Sequence, residues 1–482
     1  MARNERLALA ALIVLAAAVR LWQIGDQSFW LDEAFTVDLV KRPFGDMLSA
    51  TAQTESTPPL YYALAWLWAK LFGHGEAGLR SMSALFGTLT VPVAWRAGRE
   101  LFSPRVGLIA AALVAVNPFF VWYSQEARSY ALLVLMAALS LLFLERALRD
   151  RTPRAFALWA LVAVLGLLTH YFAAFLLVPE AIWLVWATRE RAAWLATGAL
   201  AAAGAALAPL ALHQRARGHT TFIGDLSLGR RVVDLPKKLV TGELGTPTPL
   251  IGPLAGLIAV AALAYALSRT ERDWRRSELL LLGLAAAAAL VPLVLALAGA
   301  DYLLPRNLIA LYVPLLVAVA AGLGAPGAGR LGVAGAAAIC AVALVVNIEV
   351  ASDAKLQRDD WRGMAAALGP AAEPRAIVLT PDFAKKPLRL YAGSMPPMAA
   401  AGAPVREIDV IGNDRPPALA APPPPAGFTQ FARTRTASYL LVRYRAPTAQ
   451  PVDPQQLAGL RVSAKPPAIL LQPPSARKDP AQ

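Results

Sequence analysis

The chain has 482 residues, of which 57% are hydrophobic and only 16% charged, against about 25% charged in a soluble globular domain. That balance excludes a soluble cytoplasmic enzyme, excludes disorder over residues 1–350, and, with Cys340 as the one cysteine, leaves no intramolecular disulfide or multi-cysteine metal site. A net charge of +14 has to be read by position, because Arg-rich turns beside membrane spans produce it as readily as a nucleic-acid surface does.

A spanning helix needs about 20 mostly apolar residues. In chain order the sequence predicts spans at 7–24, 82–98, 106–123, 128–146, 155–169, 171–187, 194–213, 249–268, 277–299, 302–322 and 331–349. Arg3 and Arg6 precede the first, as in a signal peptide, but the many spans that follow make it an uncleaved anchor. The pair flanking His170 reads either as one long helix or as a broken one. With the N-terminus inside, the inner turns hold Arg3, Arg6, Arg96, Arg99, Arg105, Arg146, Arg149, Arg151, Arg154, Arg189, Arg191, Arg269, Arg272, Arg275, Arg276 and Arg330. The outer loops are longer and less basic, which fits the positive-inside rule, and an odd number of spans puts the C-terminus outside. The expected setting is a bacterial inner membrane, with a cytoplasmic N-terminus and an extracytoplasmic C-terminal region.

The segment 58–73, PPLYYALAWLWAKLFG, is short for a span and rich in the aromatic residues that favour the membrane interface. Counting it as a span would move Arg96, Arg99 and Arg105 outside. It reads as an interfacial helix on the outer face, started by Pro58 and Pro59. The outer loop 25–81 then collects Asp26, Asp32, Glu33, Asp38, Asp46, Glu55 and Glu76. After residue 350 the composition changes: 21 of the 38 prolines lie in 351–482, with strand-like runs at Ala376–Thr380, Glu407–Ile411 and Tyr439–Arg443. The expected architecture is an all-α polytopic domain over 1–350, a small external α/β domain over 351–470 and a disordered tail over 471–482.

Four constellations carry polar chemistry. Trp30-Leu31-Asp32-Glu33-Ala34 follows the first span; adjacent carboxylates point different ways, and one at a membrane boundary suits a general base, although helix-start charges favoured by the dipole give the same pattern. Tyr123-Ser124-Gln125-Glu126-Ala127-Arg128-Ser129-Tyr130 would, if helical, place Tyr123, Glu126 and Tyr130 on one face; an ordinary polar turn is the plainer alternative. Thr169-His170-Tyr171 sets a histidine in an apolar stretch, where a structural hydrogen bond is the commoner role; a metal there would draw on Glu33, Glu55 or Glu126. Asp301-Tyr302-Leu303-Leu304-Pro305-Arg306-Asn307 offers Arg306 as a fork for phosphate, or as a snorkelling side chain.

Taken in order, these segments resemble the polyprenyl-phosphate-sugar-dependent glycosyltransferases of the GT-C superfamily, in particular the protein O-mannosyltransferases and the lipid A aminoarabinose transferases. The resemblance rests on WLDEAF, STPPLYYALAWLWAKLFG, GLRSMSALFGTLTVPVAWRAGRELFSPRVGLIAAAL, NPFFVWYSQEARSY, LLTHYFAAF, DYLLPRNLIALYVPLL and DDWRGMAAAL, and covers residues 5–370. It implies an active site open to the outside and a lipid-linked sugar phosphate entering from the bilayer. It implies that Asp32 is the base that deprotonates an acceptor hydroxyl, with inversion at the anomeric carbon. Glu33 and Glu126 would position donor and acceptor or bind a divalent cation. Arg128 and Arg306 would stabilise the leaving phosphate, Tyr130, His170 and Tyr171 would line the substrate site, and the 58–73 helix, with Tyr61, would wall the donor entrance. Thr57 stands where relatives often carry His or Lys before the double proline, leaving Glu55 and His170 as the metal candidates. The acceptor would be a glycolipid, an envelope glycan or a protein, with no nucleic-acid partner. A lipid-linked sugar flippase is the alternative; it predicts charges deep within spans and a repeated half, and the Ala/Leu/Val-rich span interiors show neither.

Overall fold

The computed structural model describes residues 2–218, 221–243, 272–413, 422–462 and 465–474, with scattered positions between 257 and 269. The chain divides into two compact units. One comprises Met1–Gly25 and Thr36–Ser352, the other Asp26–Phe35 and Asp353–Gln482.

The first unit is helical. Its elements are α1 (Arg3–Leu21), the second half of α2 (Leu31–Val40), α3 (Phe44–Thr54), α4 (Leu60–Phe72), α5 (Glu76–Leu101), α6 (Pro104–Val116), α7 (Pro118–Ser124), α8 (Tyr130–Asp150), α9 (Pro153–Thr169), α10 (Ala174–Thr188), α11 (Arg191–Ala216), α12 (Leu228–Thr241), α13 (Arg275–Leu297), α14 (Tyr312–Gly324) and α15 (Gly329–Ser352). Among the described residues six helices are long and apolar enough to cross a membrane: Tyr130–Asp150, Tyr171–Thr188, Arg191–Ala216, Arg275–Leu297, Pro305–Gly324 and Pro326–Ser352. The chain is a polytopic membrane protein. The expected spans at 7–24, 82–98 and 155–169 fall on α1, α5 and α9, helices that do not meet that measure of length and apolarity. The expected span at 249–268 lies outside the described residues. Helix α4 has 13 residues, about 20 Å of helix, too short to cross about 30 Å of hydrocarbon.

Two expected continuous helices are broken. The span at 106–123 is two helices bent by 57°. Asn117 precedes a proline, which pushes it out of the α region, and it sits at φ −55°, ψ 122°. Its Oδ1 then caps α7 by accepting from the Phe120 N–H. Pro118 has no N–H for the Val114 carbonyl. The Arg20 guanidinium donates to the carbonyls of Val114 (3.1 Å) and Ala115 (2.6 Å) instead, and the Asn347 amide donates to Val116 (2.8 Å). Arg20 also donates to Ser124 Oγ. A side chain at Gly87 would fall 2.1 Å from Ser124 Oγ and 2.7 Å from Arg20 Nε, so this crossing of α5 requires glycine. The second break is at His170, extended at φ −158°, ψ 131° between α9 and a short 3-10 turn, Tyr171–Ala173. The broken reading of that pair is the one observed.

Polar groups gather at the two ends of this bundle. At one end Arg99 pairs with Glu5 at 3.3 Å, Glu100 accepts from Arg96, Arg146 and Arg149, and Arg105 donates to the Gly329 carbonyl. The expected inner turns around 96–105, 146–154 and 330 therefore meet at the end that holds the start of α1. The other end carries the candidate site.

The second unit is a five-stranded mixed sheet, order β3-β4-β2-β1-β5, formed by β1 (Arg375–Thr380), β2 (Ala403–Asn413), β3 (Thr429–Arg435), β4 (Tyr439–Val452) and β5 (Ala468–Gln472). Strands β1 and β2 are parallel; the other pairings are antiparallel. Alternation divides β1 between two cores: Ala376 and Val378 on one face, Ile377 and Leu379 on the face covered by α16 (Trp361–Leu368) and α17 (Lys385–Ala392). The expected strands are present. β3 and β5 were not expected, and β5 puts residues 471 and 472 inside the sheet rather than in a disordered tail; 475–482 lie outside the described residues.

This unit also takes in 26–35. Ser28 Oγ donates to Asp360 Oδ1 at 3.1 Å and accepts from the Arg362 N–H at 3.2 Å, the Phe29 N–H donates to the Tyr391 hydroxyl at 2.7 Å, and the Arg358 N–H donates to Gln27 Oε1 at 3.0 Å. The WLDEAF and DDWRG segments, far apart in sequence, thus belong to one structural unit. Asp360 completes the join by capping α16 through the Gly363 N–H.

Candidate active site

In the first unit the site is built on the turn between α7 and α8. Gln125 donates its amide to the last carbonyls of α1, at Val19, Arg20 and Trp22, which fixes where the turn starts. Helix α7 ends at Ser124 and α8 begins at Tyr130, so the expected single helical face of Tyr123, Glu126 and Tyr130 does not form. The turn does that work: the Tyr123 and Tyr130 rings meet edge to face at 4.7 Å, and Tyr130 lies 5.7 Å from the His170 ring. Glu126 is buried, and its carbonyl accepts from the Arg128 N–H at 2.8 Å.

Arg128 is the hub. Its Nη2 meets Glu55 Oε2 at 2.9 Å, and Nη1 reaches Thr36 Oγ1 at 3.4 Å. The same Glu55 oxygen accepts from the Tyr62 hydroxyl at 2.6 Å, the Tyr62 and Thr57 hydroxyls lie 3.1 Å apart, and the guanidinium stands 5.7 Å from the centre of the Tyr62 ring. Glu55, Thr57, Tyr62, Arg128, Thr36 and Glu126 are all buried. Gln214 holds the loop between α3 and α4 by donating to the Thr51 and Thr57 carbonyls, and Tyr171 donates to Gln214 Oε1 at 2.9 Å.

His170 is buried, and its Nδ1 accepts from the Phe172 N–H at 3.2 Å. Burial, together with the charges of Arg128 and Arg306, pushes the imidazole down to about 3. A neutral ring that accepts at Nδ1 carries its proton on Nε2, which makes it a hydrogen-bond donor. Arg306 opens a 3-10 helix, Pro305–Leu311; it is partly exposed and close enough to act electrostatically on both His170 and Tyr123. Tyr123 donates to Glu243 Oε2 at 2.9 Å, and Lys238 binds Glu243 Oε1 at 2.5 Å. Arg231 forks onto both Asp301 oxygens, at 2.6 and 2.7 Å. These contacts bring α12 and the 301–306 turn to the same end.

The expected site residues therefore divide. Glu126, Arg128, Tyr130, His170 and Arg306 share one neighbourhood in the first unit, and Tyr171 joins it through Gln214. Tyr61 is fully buried, its hydroxyl 3.2 Å from Ser83 Oγ, which makes it packing behind the turn rather than an open wall. Asp32 and Glu33 open α2 within the second unit. Glu33 is fully buried; its Oε2 accepts from the Trp30 N–H at 3.2 Å, the N3 arm of a capping box, and Arg358 Nε stands 4.0 Å away. Asp32 is partly exposed.

Glu55 and His170 are not joined by a third metal-ligating side chain among the described residues. The Glu55 carboxylate serves Arg128 and Tyr62, and His170 Nδ1 is occupied by the backbone. The sequence marks Thr57 only as a departure from relatives and gives no role to Tyr62, Gln214 or the Tyr123–Glu243–Lys238 chain; the polar residues beside the double proline were the available signal.

A sequence model of the family described as dolichyl-phosphate-mannose-protein mannosyltransferase matches residues 56–213, from the double proline to past His170. ArnT from Cupriavidus metallidurans, solved bound to undecaprenyl phosphate, aligns with 92% of this chain and 99% of its own at 12% identity, with a TM-score of 0.53. The chain has the GT-C fold. Apo ArnT from the same organism aligns over 90% and 97% at 12% identity, with a TM-score of 0.50. The oligosaccharyltransferase AglB from Archaeoglobus fulgidus, in complex with an inhibitory peptide and a dolichol-phosphate, aligns over 85% and 69% at 12% identity and 0.49. No curated protein sequence matches the chain. Both comparisons fall on the relatives that the motif series resembles.

Proposed function

We propose that this GT-C protein is a membrane glycosyltransferase that moves a hexose or pentose from a polyprenyl-phosphate carrier to a hydroxyl on a glycolipid, envelope glycan or protein. The observation that carries the reading is the meeting of Arg306, a neutral His170 and the Arg128–Glu55 pair at one end of the bundle. An anionic phosphate needs a cation and neutral donors in a partly desolvated place. Arg306, whose charge acts on His170 and Tyr123, is the proposed cation for the phosphate, and His170 Nε2–H is a neutral donor beside it. ArnT, whose fold this chain has, was solved with undecaprenyl phosphate, a ligand of that chemistry.

In the proposed reaction Asp32 takes the proton of the acceptor hydroxyl. The oxygen attacks the anomeric carbon from the side opposite the phosphate. The bond from that carbon to the phosphate oxygen breaks, and its electron pair leaves on the polyprenyl phosphate beside Arg306; the anomeric configuration inverts. Asp32 is preferred to Glu33 because Asp32 is partly exposed, where an acceptor can reach it, whereas Glu33 is fully buried. No step is routed through a metal. The fold favours this reading over the flippase. The proposed setting is a bacterial inner membrane, with the N-terminus cytoplasmic and the second unit outside, as the arginine distribution suggests.

The test is transfer in proteoliposomes from a radiolabelled polyprenyl-phosphate sugar to envelope acceptors. Wild-type protein transfers label, and Asp32→Asn inserts and folds but does not. An active Asp32→Asn protein sinks the base assignment. Label that crosses the bilayer while still on its carrier supports the flippase instead.

A further inference from the structure

The hairpin of α10 and α11 carries a feature that the site does not use. A groove of about 630 Å³ runs along it, lined by Ala181, Ile182, Val185 and Trp186 from α10, Arg189 from the turn, and Trp194 and Thr197 from α11. That volume lies within the about 300–1,000 Å³ of small-molecule sites. Trp186 and Trp194 are each more than 60% exposed. Both helices are long and apolar enough to be membrane spans, so the groove faces hydrocarbon. It is nonetheless not purely apolar. Arg189 is the one charged side chain in its lining, and the Thr197 hydroxyl oxygen is buried with no hydrogen-bond partner among the described residues.

Arg189 has a second peculiarity. It ends α10 at φ +56°, ψ 17°, with its N–H on the Val185 carbonyl. That left-handed position favours glycine, and a longer side chain there is retained against a backbone cost. The tryptophans sit at the level of this turn, as aromatic rings do where hydrocarbon meets headgroups. An apolar cleft whose lining carries one guanidinium, at the turn Arg189-Glu190-Arg191, matches a molecule with an acyl chain below and one anionic phosphate above.

We propose that the α10–α11 groove is a binding site for one anionic glycerophospholipid, its phosphate on Arg189 and an acyl chain between Trp186 and Trp194. The site is independent of the proposed transfer chemistry. The left-handed backbone supplies a clean variant: Arg189→Gly removes the cation while relieving the backbone.

The experiment is native mass spectrometry of the full-length protein in detergent with equal amounts of phosphatidylglycerol and phosphatidylcholine. Arg151, which ends α8 at φ +50° and does not line the groove, provides the control variant Arg151→Gly. Wild type is expected to retain one phosphatidylglycerol in preference to phosphatidylcholine. Arg189→Gly should lower that retention about fivefold, the effect of one basic side chain at an anionic surface, and Trp186→Ala should shorten retention of either lipid. Arg151→Gly should behave as wild type. Equal retention of the two lipids by wild type, undiminished phosphatidylglycerol on Arg189→Gly, or an equal loss on Arg151→Gly overturns the proposal. Helical circular dichroism of each variant separates lipid loss from unfolding.

Discussion

The two polar ends of the helical unit use the same residue types in opposite ways. At one end Glu100, itself 9% exposed, collects three arginines whose own side chains reach solvent, Arg96 and Arg149 being 45% and 46% exposed. At the other, Arg128 and Glu55 are 9% and 3% exposed. Exposed pairs are worth about 0–1 kcal/mol and are screened by salt. A buried pair is held together because neither partner can be left alone. The first end is a rim of charge that anchors helix ends at an interface. The second is a fixed electrostatic fixture, and chemistry that needs a prepared field belongs there.

That contrast is sharpest under substitution. Arg128→Ala strands the Glu55 carboxylate in the interior and should destabilise the protein by about 3–5 kcal/mol, read as a large fall in thermal midpoint in detergent. If the midpoint hardly moves, the pair is not the buried fixture described. Arg306→Gln should leave the midpoint near wild type yet lower kcat by roughly 10²–10³, the usual loss when a group stabilising transition-state charge is removed; a change confined to stability would remove Arg306 from the phosphate site. Tyr62→Phe deletes one donor to Glu55 and should cost about 1–3 kcal/mol, with the larger part of the Arg128 effect retained. Arg149→Ala, at the opposite end, should shift stability by no more than about 1 kcal/mol, and that shift should vanish in high salt.

His170 adds a pH signature. In the unfolded chain its imidazole takes up a proton near pH 6.5, whereas in the folded protein burial beside Arg128 and Arg306 holds protonation down to about pH 3. The unfolded state therefore binds more protons between those values. Stability is complete above about pH 6.5 and falls as the pH drops toward 3. His170→Gln should flatten that decline in thermal midpoints measured across the interval; an unchanged slope would mean the ring is not held neutral by its surroundings.

Much of the helical unit was legible because apolar runs of span length have few other uses. Its breaks were less so. Asn117-Pro118 sits within a run that scores as continuous apolar helix, and only the proline marks the interruption. The site residues were legible as motifs, since Glu126, Arg128, His170 and Arg306 are polar in otherwise apolar surroundings. Their pairing was not. Nothing local to Arg128 names Glu55, which lies four helices back, before α4, and the i, i+3, i+7 spacing of Tyr123, Glu126 and Tyr130 suggested a helix where a turn brings the rings together. The partner of Glu33, Arg358, lies on the far side of the whole membrane unit in sequence, so its structural engagement was out of reach of any windowed reading. Strand β3, with nearly every side chain exposed, lacks the apolar alternation by which a strand announces itself.

The Arg20 guanidinium has a consequence for biogenesis. Helix α1 is made well before its partners: the carbonyls that receive this arginine lie 94 and 95 residues later, and the serine beside them 104 residues later. Until α6 and α7 arrive, α1 carries a cation that hydrocarbon does not tolerate. Helix α1 must therefore wait at the water boundary, or under the cover of the insertion machinery, and the broken helix α6–α7 is what admits it to the bundle.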